Sequence, residues 1–210
     1  MVECKKCLFN SSNNPSISLN EDGVCDICLI NERRIAAVKK KHNTDHLTQL
    51  ISEIKASKKG KYDCLIGISG GTDSSYLVYL AKKWGLNPLL LHVDGGWNSE
   101  TSVINIEKII DNCGFDFVTE VLPWHEMRDA QKAFIKADVI DIDLPFDNAM
   151  VKYNYLVAKK HKIKYILNGY STITEGIMPE SYNHFKLDKK NLQDIQSKFG
   201  QLKLKELKYI

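Results

Sequence analysis

The sequence predicts an α/β fold, with a doubly wound parallel sheet preceded by a small N-terminal metal-binding module. Two observations predict the sheet: short apolar runs recur over residues 62–167, and amphipathic segments of helical length separate them. A third observation, two Cys-x2-Cys pairs near the N-terminus, predicts the module. A chain of 210 residues is long enough for one such domain and a small appendage.

Strand-like and helix-like segments alternate along the main part of the chain. Short apolar runs indicate buried strands, and apolar residues at helical spacing indicate amphipathic helices. Strands separated by helices of this length imply crossovers between parallel neighbours, and such sheets bind ligands beyond the carboxyl ends of their strands. The predicted strands cover residues 63–68, 88–93, 115–121 and 164–167, and the predicted helices cover residues 74–84, 98–112, 126–136 and 149–160.

Four of the six cysteines form the two N-terminal pairs. Two thiolates of one pair can bind the same metal ion, and Gly23 before the second pair allows the chain to turn tightly. The spacing is typical of a four-thiolate Zn²⁺ site, and an iron–sulfur cluster is the alternative centre for the same ligands. The predicted ligands are Cys4, Cys7, Cys25 and Cys28.

These patterns divide the chain into three regions. We predict a zinc ribbon over residues 1–32, a helical linker over 33–59 and the α/β domain over 60–200. A short basic break at residues 58–61 marks the last boundary. The apolar runs are too short to cross a bilayer, and the N-terminus lacks the apolar stretch of a secretory signal. We therefore expect a cytoplasmic protein with no membrane partner.

Charge is distributed unevenly along the chain. The net charge is +3 over residues 1–60, −7 over 61–150 and +7 over 151–210. The basic last third is suited to the phosphates of a nucleotide sugar or of RNA, and a solvated face is the alternative interpretation. The acidic middle third repels a phosphate backbone, so the pattern argues against nucleic acid as a partner.

A glycine-containing segment follows the first predicted strand directly. Its two glycines let successive N–H groups point inward, and the start of the next helix adds a positive dipole end. Hydroxyl groups can donate to phosphate oxygens, and an aspartate can hold Mg²⁺. The segment therefore predicts a pyrophosphate site, although it lacks the Lys-Ser/Thr ending of a Walker A loop. A simple helix cap is the alternative interpretation of the segment. Its residues are Ser69, Gly70, Gly71, Thr72, Asp73, Ser74 and Ser75.

Asp94 is expected at the same edge of the sheet, because it ends the second predicted strand. Its carboxylate can bind a ribose hydroxyl or a substrate amine there, and Gly95-Gly96 permits close backbone approach. A plain strand-end turn is the alternative. The sequence therefore predicts a second polar group beside the pyrophosphate loop.

The Ser-Gly-Gly-Thr-Asp-Ser segment resembles the SGGxDS signature of the PP-loop ATP pyrophosphatase superfamily. The resemblance implies that ATP is cleaved between its α and β phosphates, that AMP is transferred to a carbonyl oxygen, and that Asp73 and Ser74 are catalytic. Residues 168–176 resemble the Gly-x5-Glu segment of PP-loop NAD synthetases. That resemblance implies that Gly169 lies against the α-phosphate and that Glu175 is a second Mg²⁺ ligand; a helix-capping role is the alternative for Glu175.

Further segments resemble the N-acetyl sugar amidotransferase family. They are Leu91 to Glu100, Trp124 to Met127, Asn105 to Glu107 and Asp141 to Asp147, in addition to the cysteine pairs and the loop. The resemblance implies replacement of the acetamido oxygen of an N-acetyl sugar, free or nucleotide-linked, by nitrogen from a separate glutaminase subunit. It places the reaction in bacterial lipopolysaccharide and nonulosonic acid biosynthesis, such as that of pseudaminic acid. Members usually extend further, so we expect a C-terminally shortened domain.

Within the acidic segment, we predict that Asp141, Asp143 and Asp147 contact sugar hydroxyls or guide the second nucleophile, with Asp143 and Asp147 as the substrate residues. A solvated loop around Pro145 is the alternative. Two competing functions remain open. A tRNA-thiolating PP-loop enzyme is favoured by the cysteine pairs and the basic last third. A non-catalytic binding module would be favoured by loss of Asp73 or of the loop serines, all of which are present.

Overall fold

The computed structural model describes residues 2–41, 44–170, 186 and 188–207. It divides into two compact units. The first, the cysteine unit, comprises Met1–Gln49 and Tyr170–His184; the second, the sheet unit, comprises Leu50–Gly169 and Phe185–Ile210. Within the described ranges, every helix falls short of the length and apolarity that crossing a bilayer requires.

The cysteine unit is built around the two cysteine pairs. An antiparallel bridge joins Leu19 to Cys25, and helix α1 (Asp26–Lys41) begins between the two cysteines of the second pair. This start lies before the predicted helical region, because an acidic residue, Asp26, stabilises the first turn within the pair itself. Helix α2 (Thr44–Ala56) follows and continues into the sheet unit.

Four parallel strands form the sheet of the second unit. They are β1 (Cys64–Gly67), β2 (Pro88–Asp94), β3 (Phe117–Val121) and β4 (Tyr165–Leu167), in the order β3-β2-β1-β4. The register places Ile66 of β1 beside Leu90 of β2 and Leu167 of β4. The predicted doubly wound parallel sheet is therefore confirmed.

Helices of the sheet unit lie between and after the strands: α3 (Thr72–Lys83), α4 (Glu100–Cys113), α5 (Trp124–Lys136), α6 (Leu144–Lys160) and α7 (Lys189–Phe199), with a short 3-10 turn at Leu204–Glu206. Helix α6 begins before its predicted start at residue 149. Pro145 stands in its first turn, where the missing N–H has no helical partner to lose. Helix α7 was not predicted, and its Ile195 packs against Phe134 of α5.

Both faces of the sheet are buried. On one face Leu65 packs in a cluster with Val157 of α6, and on the other Ile66 packs in a cluster with Val78 of α3 and Ile106 of α4. Burial on both faces explains why β1 and β2 are continuous apolar runs rather than alternating ones.

The direction of winding reverses between β1 and β4. From β1 the chain proceeds through β2 to β3, and it then returns to the other side of β1 to form β4. At such a switch point the loops after the two neighbouring strands diverge and leave a crevice at the carboxyl edge. The loops that leave β1 and β4 here are those around residues 68–71 and 168–169, which places the predicted phosphate loop at the crevice.

Candidate functional site

The loop after β1 turns tightly into α3. Gly70 has a φ of +75°, and a Cβ at this position would lie 2.3 Å from the carbonyl oxygen of Ser102. Asn105 of α4 donates from Nδ2 to the Gly70 carbonyl oxygen at 2.9 Å. A side chain at position 70 would strain the backbone and would collide with Ser102, so the loop requires glycine there.

Serine hydroxyls cluster at the start of α3. The Oγ atoms of Ser69 and Ser74 are 3.2 Å apart, and the Ser75 hydroxyl donates to the Gly71 carbonyl oxygen at 2.6 Å. Gly71 is the N-cap residue, and no side chain caps the helix. The simple capping role considered for Asp73 and Ser74 is thus not what the structure shows. An uncapped helix N-terminus is suited to an anionic ligand.

The end of β4 packs directly against the first turn of α3. A Cβ at Gly169 would lie 2.9 Å from the carbonyl carbon of Asp73 and 3.0 Å from the amide nitrogen of Ser74. The two segments selected from the sequence therefore meet at the switch point. Asp73 and its neighbour Thr72 are exposed. Glu175, the predicted second Mg²⁺ ligand, lies outside the described residues.

Asp94 ends β2 and closes a tight turn. Its Oδ1 accepts the N–H of Gly96 at 2.8 Å, so one carboxylate oxygen holds the turn. A Cβ at Gly95 would lie 2.6 Å from Cε2 of Phe146, and one at Gly96 would lie 3.0 Å from Cε3 of Trp124. The two glycines thus let the turn lie directly against two aromatic rings, and Oδ2 of Asp94 has no hydrogen-bond partner among the described residues.

Two tryptophans form an exposed pair, the tryptophan pair, beside this turn. The rings of Trp97 and Trp124 meet edge to face with centroids 5.3 Å apart, and they are 66% and 45% exposed. Gln131 of α5 accepts the Trp97 Nε1–H at 2.7 Å and orients the indole. Sequence reasoning did not select Trp97 or Gln131; the available signal was a tryptophan shortly after each of two strands. Exposed indoles offer a stacking surface to a ligand.

Acidic side chains of the 141–147 segment surround a lysine. Lys186 Nζ pairs with Asp147 and lies 3.3 Å from Oδ2 of Asp141. Burial raises the pKa of Asp143, Asp147 and Asp141 raise it further, and Lys186 opposes them. Pro145 is fully buried and Asp147 lies in the first turn of α6, so a helix rather than a solvated loop contains Pro145, while Asp143 lies in the exposed turn before it. Sequence reasoning missed Lys186.

The four predicted metal ligands converge in the cysteine unit. Their Sγ atoms all lie within 4.8 Å of one another, and those of Cys7 and Cys25 are 3.7 Å apart. The Cys25 amide donates to Cys4 Sγ at 3.3 Å. Burial alone would raise the pKa of Cys4, but amide donors outweigh it and lower that pKa to about 6. Tetrahedral Zn–S bonds of about 2.3 Å place sulfurs ~3.8 Å apart, so these residues fit one tetrahedral ion.

Comparison with known proteins finds distant sequence relatives, while no family model matches the chain. The chain is 29% identical over 121 residues to the uncharacterized protein MJ1599 of Methanocaldococcus jannaschii, across 56% of this chain and 42% of that protein. It is 36% identical over 77 residues to tRNA(Ile)-lysidine synthase of Chlamydia pneumoniae, across 35% of this chain and 24% of the synthase. The matches therefore span less than half of either relative.

A solved structure of NH3-dependent NAD synthetase from Campylobacter jejuni is similar to this chain at a TM-score of 0.47. The similarity covers 82% of this chain and 73% of the synthetase, with 14% sequence identity. The relatives do not identify an N-acetyl sugar amidotransferase. The Ser-Gly-Gly-Thr-Asp-Ser loop at the switch point of a parallel sheet and the match to tRNA(Ile)-lysidine synthase together support the PP-loop ATP pyrophosphatase superfamily.

Proposed function

We propose that this chain is an ATP-dependent enzyme that releases pyrophosphate and uses the AMP group to activate a carbonyl oxygen. The observation that carries the proposal is the approach of Gly169 to the backbone of Asp73 and Ser74. This approach sets an uncapped helix N-terminus at the switch point, where parallel sheets bind ligands. Backbone N–H groups and the helix dipole at such a place stabilise the charge of pyrophosphate.

Asp73 is the residue that we propose as a Mg²⁺ ligand. Its carboxylate is exposed in the first turn of α3 and has no ion pair or hydrogen bond with the other described residues. Mg²⁺ prefers oxygen ligands, and it neutralises phosphate charge that the N–H groups leave uncompensated. The role of Glu175 as a second ligand stays a prediction from the sequence.

An N-acetyl sugar is the substrate that we propose, and the tryptophan pair is its binding surface. Apolar faces of sugar rings stack on indoles, and sugar hydroxyls donate to carboxylates. Lys186 engages the carboxylate of Asp147, so Asp143 is the acid better available to a sugar hydroxyl. Oδ2 of Asp94 supplies a second acceptor near the same surface.

The proposed chemistry consists of two displacements. First, the acetamido oxygen attacks the α-phosphorus of ATP, and pyrophosphate leaves toward the loop, where N–H groups stabilise it. Ammonia then attacks the activated carbon. The bond from that carbon to the AMP oxygen breaks, AMP leaves, and a proton passes from nitrogen to solvent. The product carries an acetamidino group.

A separate glutaminase subunit is the ammonia source in this proposal. Burial in β1, together with the nearby charge of Asp63, raises the pKa of the Cys64 thiol to about 12, so the thiol stays protonated at neutral pH. Cys113 at the end of α4 has no paired base among the described residues. Neither thiol therefore fits the nucleophile that releases ammonia from glutamine.

Zinc is the metal that we propose for the cysteine unit. The mutual Sγ distances of at most 4.8 Å suit four ligands on a single ion. A [4Fe–4S] cluster instead binds each thiolate to a different iron and separates the sulfurs further. Four thiolates also complete a closed shell, which indicates a structural rather than a catalytic metal.

Modification of a tRNA base, such as thiolation, is the alternative function. It would use the same activation of a carbonyl oxygen. The match to tRNA(Ile)-lysidine synthase favours it, as does the net charge of +7 over residues 151–210. The acidic 61–150 segment, with a net charge of −7, opposes it.

One assay separates these functions. The purified chain is incubated with ATP, Mg²⁺ and ammonium, and with either N-acetyl sugars, free and nucleotide-linked, or undermodified tRNA. Release of AMP and pyrophosphate that depends on a sugar supports the proposal. Release that depends only on tRNA reverses the choice of substrate, and failure to bind ATP overturns the enzymatic proposal altogether. Asp73→Ala serves as the inactive control.

A further inference from the structure

A basic pocket in the sheet unit lies outside the residues assigned above. It is formed by α5 and residues 201–202, and its volume is ≈ 160 Å³. Sites that enclose a whole small molecule measure roughly 300–1,000 Å³, so this pocket fits one group of a larger ligand. The lining side chains include one imidazole and three cations: His125, Arg128, Lys132 and Lys136.

Asp129, the acidic residue of the pocket, has a structural role. Its carboxylate accepts the N–H of Gln201 at 3.0 Å, the N–H of Leu202 at 2.9 Å and Nε2 of Gln196 at 2.7 Å. Burial acts to raise the pKa of Asp129, but these donors outweigh it and lower the pKa. The carboxylate thus fixes residues 201–202 as a wall. Its charge is stabilised first by these hydrogen-bond donors and then by Lys136, and among the described residues no hydrogen bond or ion pair joins it to Arg128 or Lys132.

Three cations repeat at intervals of four residues on the exposed side of α5. Arg128, Lys132 and Lys136 are exposed, while Ala133 and Phe134 occupy the buried side. Among the described residues, no carboxylate lies within 4 Å of the side-chain nitrogens of these three cations. Like charges at this spacing repel one another. The arrangement therefore disfavours the free helix and favours a bound anion.

We propose that this basic pocket binds phosphate groups of a ligand other than the ATP held by the Ser69–Ser75 loop. Arg128 supplies a planar fork that matches two phosphate oxygens, and the lysines act as point charges. The cations extend over roughly 12 Å of helix, so they can contact more than one phosphate. The ligand carries more than one phosphate group, as a nucleoside diphosphate carrier or the phosphodiester backbone of a nucleic acid does. The inference is independent of the reaction proposed above.

The test is a titration of the ¹⁵N-labelled full chain at constant ionic strength, with an ATP analogue present throughout. Inorganic pyrophosphate, a nucleoside diphosphate and a short RNA duplex are added in separate experiments, and the amide signals of Gln201 and Leu202 are followed. We expect saturable shifts of both signals. We also expect at least a tenfold weaker affinity in Arg128→Gln/Lys132→Gln. Lys159→Gln/Lys160→Gln, a matched pair at the exposed end of α6, is expected to bind like the unmodified chain.

The outcomes are distinct. RNA that binds at least tenfold more tightly than the nucleoside diphosphate identifies a nucleic-acid backbone as the source of the phosphates, whereas similar affinities identify a small phosphorylated ligand. Shifts that never saturate, or equal loss of affinity in both double variants, would show that α5 has only a solvated basic face. Thermal melting confirms that each variant is folded, and Lys132→Ala alone provides a second, milder variant.

Discussion

At the scale of single residues, Asp73 has a proposed role as a Mg²⁺ ligand and no proposed role in packing. It is exposed and unpaired among the described residues. We expect Asp73→Ala to lower AMP formation by about 10²–10³-fold, the usual effect of removing one group that stabilises transition-state charge. The melting temperature should change little, since the exposed side chain has no hydrogen bond or ion pair with the other described residues. An AMP-release assay and a melting curve measure both.

The matched control for this variant is Asp111→Ala. Asp111 is exposed on α4, away from the loop in sequence, and has no partner among the described residues. The variant Asp111→Ala should form AMP at the same rate as the unmodified chain. Wild-type AMP formation by Asp73→Ala, with the control equally active, would show that Asp73 does not hold the metal.

Asp143 provides a prediction about pH. Its pKa is raised above the ordinary 3.8, first by burial and then by Asp147 and Asp141. The folded state therefore binds this proton more tightly than the unfolded state does, and the free energy of unfolding falls as the pH rises through the raised pKa. We expect Asp143→Asn to be more stable than the unmodified chain at pH 7. The difference should shrink as the pH falls toward 3.8.

Urea unfolding at several pH values between 4 and 8 measures this effect, and Asp111→Asn is the control at an exposed aspartate. Lys186 and Gln131 act against the shift, so removal of Lys186 should enlarge the advantage of Asp143→Asn. A stability difference that stays constant over this pH range would contradict the assignment of a raised pKa to Asp143.

At the scale of elements, the contact between β4 and α3 determines whether the crevice can hold phosphate. A Cβ at Gly169 would lie 2.9 Å from the carbonyl carbon of Asp73, closer than carbon atoms can approach. We expect Gly169→Ala to displace the first turn of α3 and weaken ATP binding by at least about tenfold, a change worth about 1.4 kcal/mol. Calorimetric titration with ATP measures the affinity.

Gly67→Ala is the matched control, because Gly67 ends the neighbouring strand β1. A Cβ at this position would lie 3.8 Å from Oδ1 of Asn154, an ordinary contact distance. ATP affinity should therefore be close to that of the unmodified chain. Equal weakening in both variants would mean that any added side chain in these strands disturbs the fold and that the approach of Gly169 has no special importance.

The cysteine unit provides a second prediction at this scale. We expect about one Zn²⁺ per chain in the purified protein and loss of that metal in Cys25→Ser, since Cys25 is fully buried within the four-thiol cluster. Cys113→Ser, which alters a cysteine outside the cluster, should retain it. Elemental analysis gives the stoichiometry. Iron in the presence of acid-labile sulfide would overturn the choice of zinc.

At the scale of the whole molecule, the proposed reaction needs nitrogen, and we expect a separate glutaminase subunit to supply it. Cys64 is fully buried and its pKa is raised to about 12. We expect sugar-dependent AMP formation with high ammonium, none with glutamine alone, and activity with glutamine once a glutaminase from the same pathway is added. Glutamine use by the isolated chain that persists in Cys64→Ser would show that the nitrogen source is wrongly assigned.

Local patterns made several features of this molecule predictable. The strands could be located because burial of both sheet faces leaves continuous apolar runs, as at Leu89 to Leu91. The loop could be located because its glycines, hydroxyls and aspartate follow one another within a few positions. The metal ligands could be located because each Cys-x2-Cys pair is itself a local unit. The predicted start of helix α6 was wrong, since proline is common both in loops and in the first turn of a helix.

The α/β class, the candidate loop and the cysteine cluster could thus be predicted from the sequence, because each depends on residues close together in the chain. Three contacts became visible only in the folded chain: Gly169 with Asp73, Lys186 with Asp147, and Asp129 with residues 201–202 beside a row of cations. These contacts join distant segments through strand order and side-chain geometry. The spacing of apolar residues indicates which residues are buried, but it does not indicate which side chains contact one another.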